Sequence, residues 1–216
     1  MLTLHVADLL LTGSGAAAVP GGAVAVDGDR VAATGPYEQL AADHPGARVR
    51  RWPGVLTPGL RQWHAKWLLE CAYHPDPREY DELGERMLTG ERLAALEMTG
   101  TRWAGSVRRG LQQMLRHGTT AVAGGFGDPV VSTAVARSGL RVVSAVQAPG
   151  VQVGEPDLDP FQHAYDLAGA IAEPLVVGGR ADLAAFAVRD EAALVEAGAG
   201  TCVATVLAGR LVFRGR

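Results

Sequence analysis

The sequence predicts an α/β fold in two parts: a small composite β-sandwich domain built from both chain ends, and a truncated (β/α) barrel-like segment with about three parallel strands. Three observations predict it. Short β-rich stretches occupy both ends of the chain. Between them strand, long helix, strand, helix and strand alternate, which is the grammar of a parallel sheet with covered faces. Glycine at 28 residues and proline at 12 out of 216 favour tight turns between short elements over a helical bundle.

Thr3–Thr12 is the first expected strand, and Gly13-Ser14-Gly15 ends it. Gly22–Asp27 and Arg30–Thr34 are the next two, joined through Asp27-Gly28, a pair that supplies the positive φ of a tight hairpin. Pro36 opens a short helix through Leu40, since proline is tolerated in a first turn, and Pro45-Gly46 stops it. Ala47–Trp52 is another short strand. From Thr57 the character changes. A buried strand end at 55–64 runs into a polar, aromatic loop at roughly 72–82, and the stretch from Gly84 to His117 reads as mostly helical. Trp103, Val107, Leu111, Met114 and Leu115 recur at helical spacing on one face, and Gly118 supplies the residue after the cap. Thr119–Ala123 is a strand, Asp128–Ser138 a helix ended by Gly139, and Leu140–Val146 a strand. A short helix is expected at about 161–172, a strand at Ala181–Val188 and a small helix at 190–197. Thr201–Leu207 and Leu211–Arg214 close the chain as a hairpin around Ala208-Gly209-Arg210. Neither β-rich end has enough strands to bury a core alone, so the two are expected to pair. The expected division is 1–56 with 175–216 as the composite β domain, and 57–174 as the α/β segment.

Composition excludes several classes of function. A net charge of −3 gives no electrostatic reason to expect nucleic acid or an anionic membrane. Arg108-Arg109 and Arg116 lie in a helical stretch, where a solvated face is the simpler reading. No apolar run reaches the roughly 18 residues of a membrane span. The opening residues lack the basic and apolar regions of a secretion signal, and Cys71 and Cys202 make no disulfide framework. A cytoplasmic chain is expected.

Chemistry concentrates after Pro58. In Pro58-Gly59-Leu60-Arg61-Gln62-Trp63-His64-Ala65-Lys66, His64 stands where a strand-end ligand is expected, and Lys66 stands two residues on. Side chains at i and i+2 of a strand point the same way, so two histidines there could clasp one cation. Lys66 brings a positive charge instead. His64 and Lys66 are the catalytic candidates. His64, Cys71 and His74 form a donor set that suits zinc, and Cys71 to His74 has a Cys-x₂-His spacing. The simpler reading is a small buried cysteine beside ordinary histidines, so no cofactor is expected, and zinc is the ion these donors would take. His5, His44, His117 and His163 need no functional role; His117 suits a helix C-terminus. Trp63, Trp67 and Tyr73, with Tyr80 nearby, are the ligand-binding candidates, because aromatic and ionisable groups gather where barrel pockets form. Their alternative role is to cover an apolar edge. The loop Ala123-Gly-Gly-Phe-Gly-Asp-Pro129 could present amide groups to an anion, while Asp128 would cap the following helix. Its glycines also suit a plain strand–helix turn.

Four stretches together resemble the amidohydrolase superfamily, especially its imidazolonepropionase-like and aminodeoxyfutalosine-deaminase-like branch. They are Gly22–Pro36, Gly54–Leu60 leading to His64, His117–Val122, and Gly178–Phe186 with Thr201–Arg210. The resemblance implies that the first and last belong to the family's composite β domain, and that His64 matches its first metal histidine, with Lys66 replacing the second. It also implies hydrolysis of non-peptide carbon–nitrogen bonds by a metal-bound hydroxide in a barrel of about 250 residues. Only about 120 residues lie between the two β-rich ends here. The strands that carry the family's later histidines, its bridging lysine or glutamate and its aspartate have no counterpart.

Three functions follow as expectations. The first is a shortened amidohydrolase-like protein without standard metal hydrolysis, with a binding or structural role or a metal-free pocket. The second is a metal-dependent hydrolase with a non-standard site, acting on a cyclic amidine, an amide or a deaminable ring. The third is an enzyme using Lys66 or Cys71 as a nucleophile. A three-stranded parallel piece also has two open sides. A homodimer formed through that region, with a small-molecule ligand and no nucleic-acid or membrane partner, is the expected assembly.

Overall fold

The computed structural model describes residues 2–13, 15–145, 156–162 and 166–215. In chain order the elements are β1 (Thr3–Leu10), β2 (Val19–Pro20), β3 (Gly22–Asp27), β4 (Arg30–Pro36), α1 (Tyr37–Asp43) and β5 (Arg48–Pro58). Then come β6 (Leu60–Gln62), α2 (Ala65–Glu70), α3 (Tyr80–Leu83), α4 (Gly90–Ala94), α5 (Gly100–Arg116), β7 (Thr119–Ala123), α6 (Pro129–Ser138) and β8 (Arg141–Val143). The chain closes with α7 (Leu167–Ala170), β9 (Leu183–Phe186), α8 (Glu191–Ala197), β10 (Cys202–Leu207) and β11 (Arg210–Arg214). His163 and the outer part of the strand expected to reach Val146 lie outside the described residues.

Both chain ends build one mixed sheet of eight strands, ordered β11-β10-β9-β5-β1-β3-β4 with β2 beside β1. Neighbouring strands sit about 4.8 Å apart, so in a flat sheet β4 and β10 would be separated by about 24 Å. They are not. Ala181 N–H donates to Asp29 O at 2.8 Å, and Gly209 N–H donates to Ala181 O at 2.9 Å. A side chain at Gly209 would collide with the Gly28 carbonyl. The sheet therefore curls until its two hairpin turns meet, and Val24, Val26 and Val31 share one core with Leu183, Ala204 and Val206. This is how two short β-rich ends bury a core that neither could bury alone.

A separate parallel sheet, β6-β7-β8, follows in chain order. Gly59 joins the two sheets: β5 ends at Pro58 and β6 begins at Leu60. There is no room for a Cβ, because one added at Gly59 would strike the Thr120 side chain. The cores also run together. Leu60, Phe161 and Leu167 pack with Val55, Ala184 and Phe186.

Several elements differ from expectation. The strand expected to end at Trp52 runs on to Pro58, passing Pro53-Gly54 as an irregularity in its pairing with β1. Gly54 takes a φ of 74° there, and its N–H donates to Asp8 Oδ2 at 2.7 Å. The helical stretch from Gly84 to His117 is divided. α4 stops at Ala94, and α5 restarts behind Thr99, whose hydroxyl accepts the Arg102 N–H at 3.2 Å. The α6 boundaries follow the expected signals. Asp128 accepts from Val130 and Val131 N–H groups, and Gly139 closes the helix with a φ of 79°.

Candidate functional site

β6 ends at Gln62, so His64 and Lys66 do not share a strand face. His64 is the N-cap residue just before α2, and Lys66 lies in the first turn of that helix. The cause is local: Ala65-Lys-Trp-Leu-Leu-Glu70 is made of good helix formers, and Lys66 and Glu70 stand at i and i+4. His64 is half-buried, and its N–H donates to Gln62 Oε1 at 3.0 Å. Gln62 Nε2 in turn donates to Asp157 O at 3.2 Å.

Glu70 is the residue that sequence reasoning missed. Its Oε2 pairs with Lys66 Nζ, and its Oε1 accepts the N–H groups of Gly127 at 2.6 Å and Asp128 at 3.0 Å. Burial alone would resist ionisation. The Lys66 ammonium and the two N–H donors outweigh it and hold the Glu70 carboxyl below its usual range. The loop between β7 and α6 thus receives its anion from inside the chain. Asp128 uses Oδ1 to cap α6 and Oδ2 to accept the Trp103 indole N–H at 3.0 Å.

The expected zinc donors are not gathered. Cys71 is exposed. His74 is buried, and its Nε2 lies 2.9 Å from Leu68 O. Burial keeps that imidazole less basic than usual. Among the described residues, no group of three or more His, Cys, Asp or Glu side chains is placed to hold a metal ion. The donor set does not fit a zinc centre, because Cys71 is exposed while His74 is buried with its Nε2 against the Leu68 carbonyl.

The aromatic candidates also separate. Trp63 is buried beneath the Arg61 guanidinium, 3.7 Å from its ring, and its indole N–H donates to Gly169 O at 3.3 Å. Trp67 is partly buried against the core between α2, α5 and α6. Tyr73 is fully buried at its ring, and its hydroxyl donates to Glu79 Oε2 at 2.5 Å while accepting from Arg102 Nε at 3.1 Å. Arg102 also pairs with Glu79 at 2.8 Å, and Arg109 pairs with Asp76 at 3.1 Å while holding His74 O at 2.8 Å. This polar cluster pins the 72–80 loop to α5.

Residues 22–47 match the family model of the bacterial imidazolonepropionase-like composite domain. The composite-domain segment takes in β3, β4 and α1, one edge of the curled sheet. No curated protein matches this chain. Among solved structures, the A. niger ochratoxinase is similar with a TM-score of 0.43 and 19% identity, over 72% of this chain and 38% of that chain. The Helicobacter pylori aminofutalosine deaminase gives a TM-score of 0.41 and 16% identity, over 67% and 33% respectively. For the E. coli guanine deaminase the TM-score is 0.41 and the identity 17%, over 76% of this chain and 41% of that one. The chain spans less than half the length of each. Among the described residues, no helix is long and apolar enough to cross a membrane.

Proposed function

We propose that this chain is a reduced amidohydrolase-type scaffold that works in the cytoplasm as a binding or structural protein and not as a metal-dependent hydrolase. In this reading 1–56 with 175–216 form the composite domain, and 57–174 are what is kept of the barrel. The family match over β3, β4 and α1 supports the first part of that division. The observation that carries the functional reading is the Lys66–Glu70 pair. A metal centre built on His64 needs a second neutral or anionic donor beside it. Lys66 offers an ammonium group, and its carboxylate partner is itself spent on the Gly127 and Asp128 amides.

The same pair weighs against Lys66 as a nucleophile, since an amine must lose its proton before it attacks. Of the candidates, Trp63, His64 and Trp67 follow directly on β6, and a metal-free ligand pocket in this reading would draw on them. Among the described residues β8 pairs with β7 alone, and its other side, with Val142 55% exposed, is the edge through which we place a homodimer.

Restoring the family residue tests the reading. Lys66→His, loaded with zinc, is assayed for hydrolysis of cyclic amidines, amides and aminopurines. The expected result is no turnover above the unmodified chain. Robust zinc-dependent turnover by that variant overturns the proposal.

A further inference from the structure

α5 and α6 pack side by side over the small sheet, and a trough of about 570 Å³ runs between their outer faces. Its floor is apolar: Ala104, Leu111 and Leu115 come from α5, and Val130 and Ala134 from α6. Arg108 and Arg137 flank it, one from each helix, and both side chains are exposed. Among the described residues no ion pair engages either guanidinium, and no acidic side chain lines the trough. In a chain of net charge −3, this is a local positive field over an apolar strip.

From these features we propose that the α5–α6 trough docks an acidic amphipathic helix of a partner protein. The lining positions span about 16 Å along α5 and about 13 Å along α6, which is the length of a helix of about nine to eleven residues. A third helix laid in such a trough buries its apolar stripe at i, i+3, i+4 and i+7. Carboxylates flanking that stripe then meet Arg108 and Arg137. An acyl carboxylate shares this chemistry, but an open trough leaves one side of a thin tail in water, whereas a helix covers both walls. The site uses none of the residues around His64, Lys66 and Glu70.

The probe is a synthetic fourteen-residue helix with leucine at the stripe positions and glutamate elsewhere, titrated into the full chain by fluorescence anisotropy. A matched peptide with lysine in place of glutamate is the control. The acidic peptide is expected to bind, and the lysine peptide is not. Arg108→Glu with Arg137→Glu is expected to weaken binding about tenfold or more and to reduce its salt dependence. Thr133→Trp, an exposed position in the trough, is expected to block binding with thermal melting unchanged. Arg116→Glu, an exposed arginine of α5 outside the trough, keeps the affinity. Failure of the acidic peptide to bind, equal binding of the lysine peptide, or an equal loss in Arg116→Glu overturns the proposal. Displacement of the peptide by dodecanoate at lower concentration also overturns it, in favour of a small-molecule site.

Discussion

The Glu70 carboxylate accepts the Asp128 N–H at 3.0 Å from a position 58 residues away, and Asp128 in turn caps α6. One acidic side chain therefore ties α2 to the loop after β7, and its charge is held there by Lys66. Removing it leaves two N–H donors without their partner. Glu70→Ala is expected to lower stability by about 2 kcal/mol, and Glu70→Gln by less, in urea unfolding at pH 7. Equal stability of Glu70→Ala and the parent chain would contradict the role given to this residue.

The same group sets a pH response. Its folded pKa lies below its unfolded value, so its contribution is complete above the ordinary carboxylate range, near pH 4.5, and is lost as pH falls through the folded value. The gap between the parent chain and Glu70→Gln is therefore expected to be widest at pH 6–7 and to narrow as pH falls below about 4.5. Paired urea titrations across that range measure it.

His5 adds a second, separable response. Its ring is fully buried against Trp52, whose indole N–H donates to His5 Nδ1 at 3.2 Å. Burial, helped by the charge of Arg50, pulls its pKa down to about 4. The neutral ring is what the fold accommodates. The stability it protects is present above the unfolded value near 6.5 and is lost as pH falls through about 4, on the order of 3 kcal/mol in all. The His5 imidazole followed by NMR is expected to stay neutral at pH 5.5; a midpoint near 6.5 would contradict this.

Much of the fold is legible because its signals are local. Asp27-Gly28, Asp128, Gly139 and the hairpin around Ala208-Gly209 mark turns or helix ends through their own backbone chemistry, and each stands where it was expected. The strand expected to end at Trp52 instead continues through Pro53-Gly54, absorbed as an irregularity stabilised by Asp8 from the neighbouring strand. At the site the failure has a similar cause. The i, i+2 reading of His64 and Lys66 assumed a strand, whereas residues 65–70 prefer a helix and β6 stops at Gln62. Glu70 carried one signal, its i, i+4 spacing to Lys66, and that appears only once residues 65–70 are read as a helix. Its other partners are the Gly127 and Asp128 N–H groups, brought close only by the packing of α2 against the β7–α6 loop, which no spacing rule records.

Gly59 tests how the two sheets are joined. Gly59→Ala forces a Cβ against Thr120 and is expected to destabilise the chain by about 1–3 kcal/mol. Gly46→Ala, where an added Cβ meets no atom within 4 Å, is expected to change little. Thermal melts of both variants compare them. A neutral Gly59→Ala would mean the sheets approach less closely at this junction.

Metal content tests the central claim most directly. The chain is purified without added metal, and zinc, iron, manganese and nickel are counted per chain, for the parent protein and for His64→Ala. The account predicts well under one metal ion per chain, with no difference between the two proteins. Near-stoichiometric zinc in the parent chain, lost in His64→Ala, would contradict it.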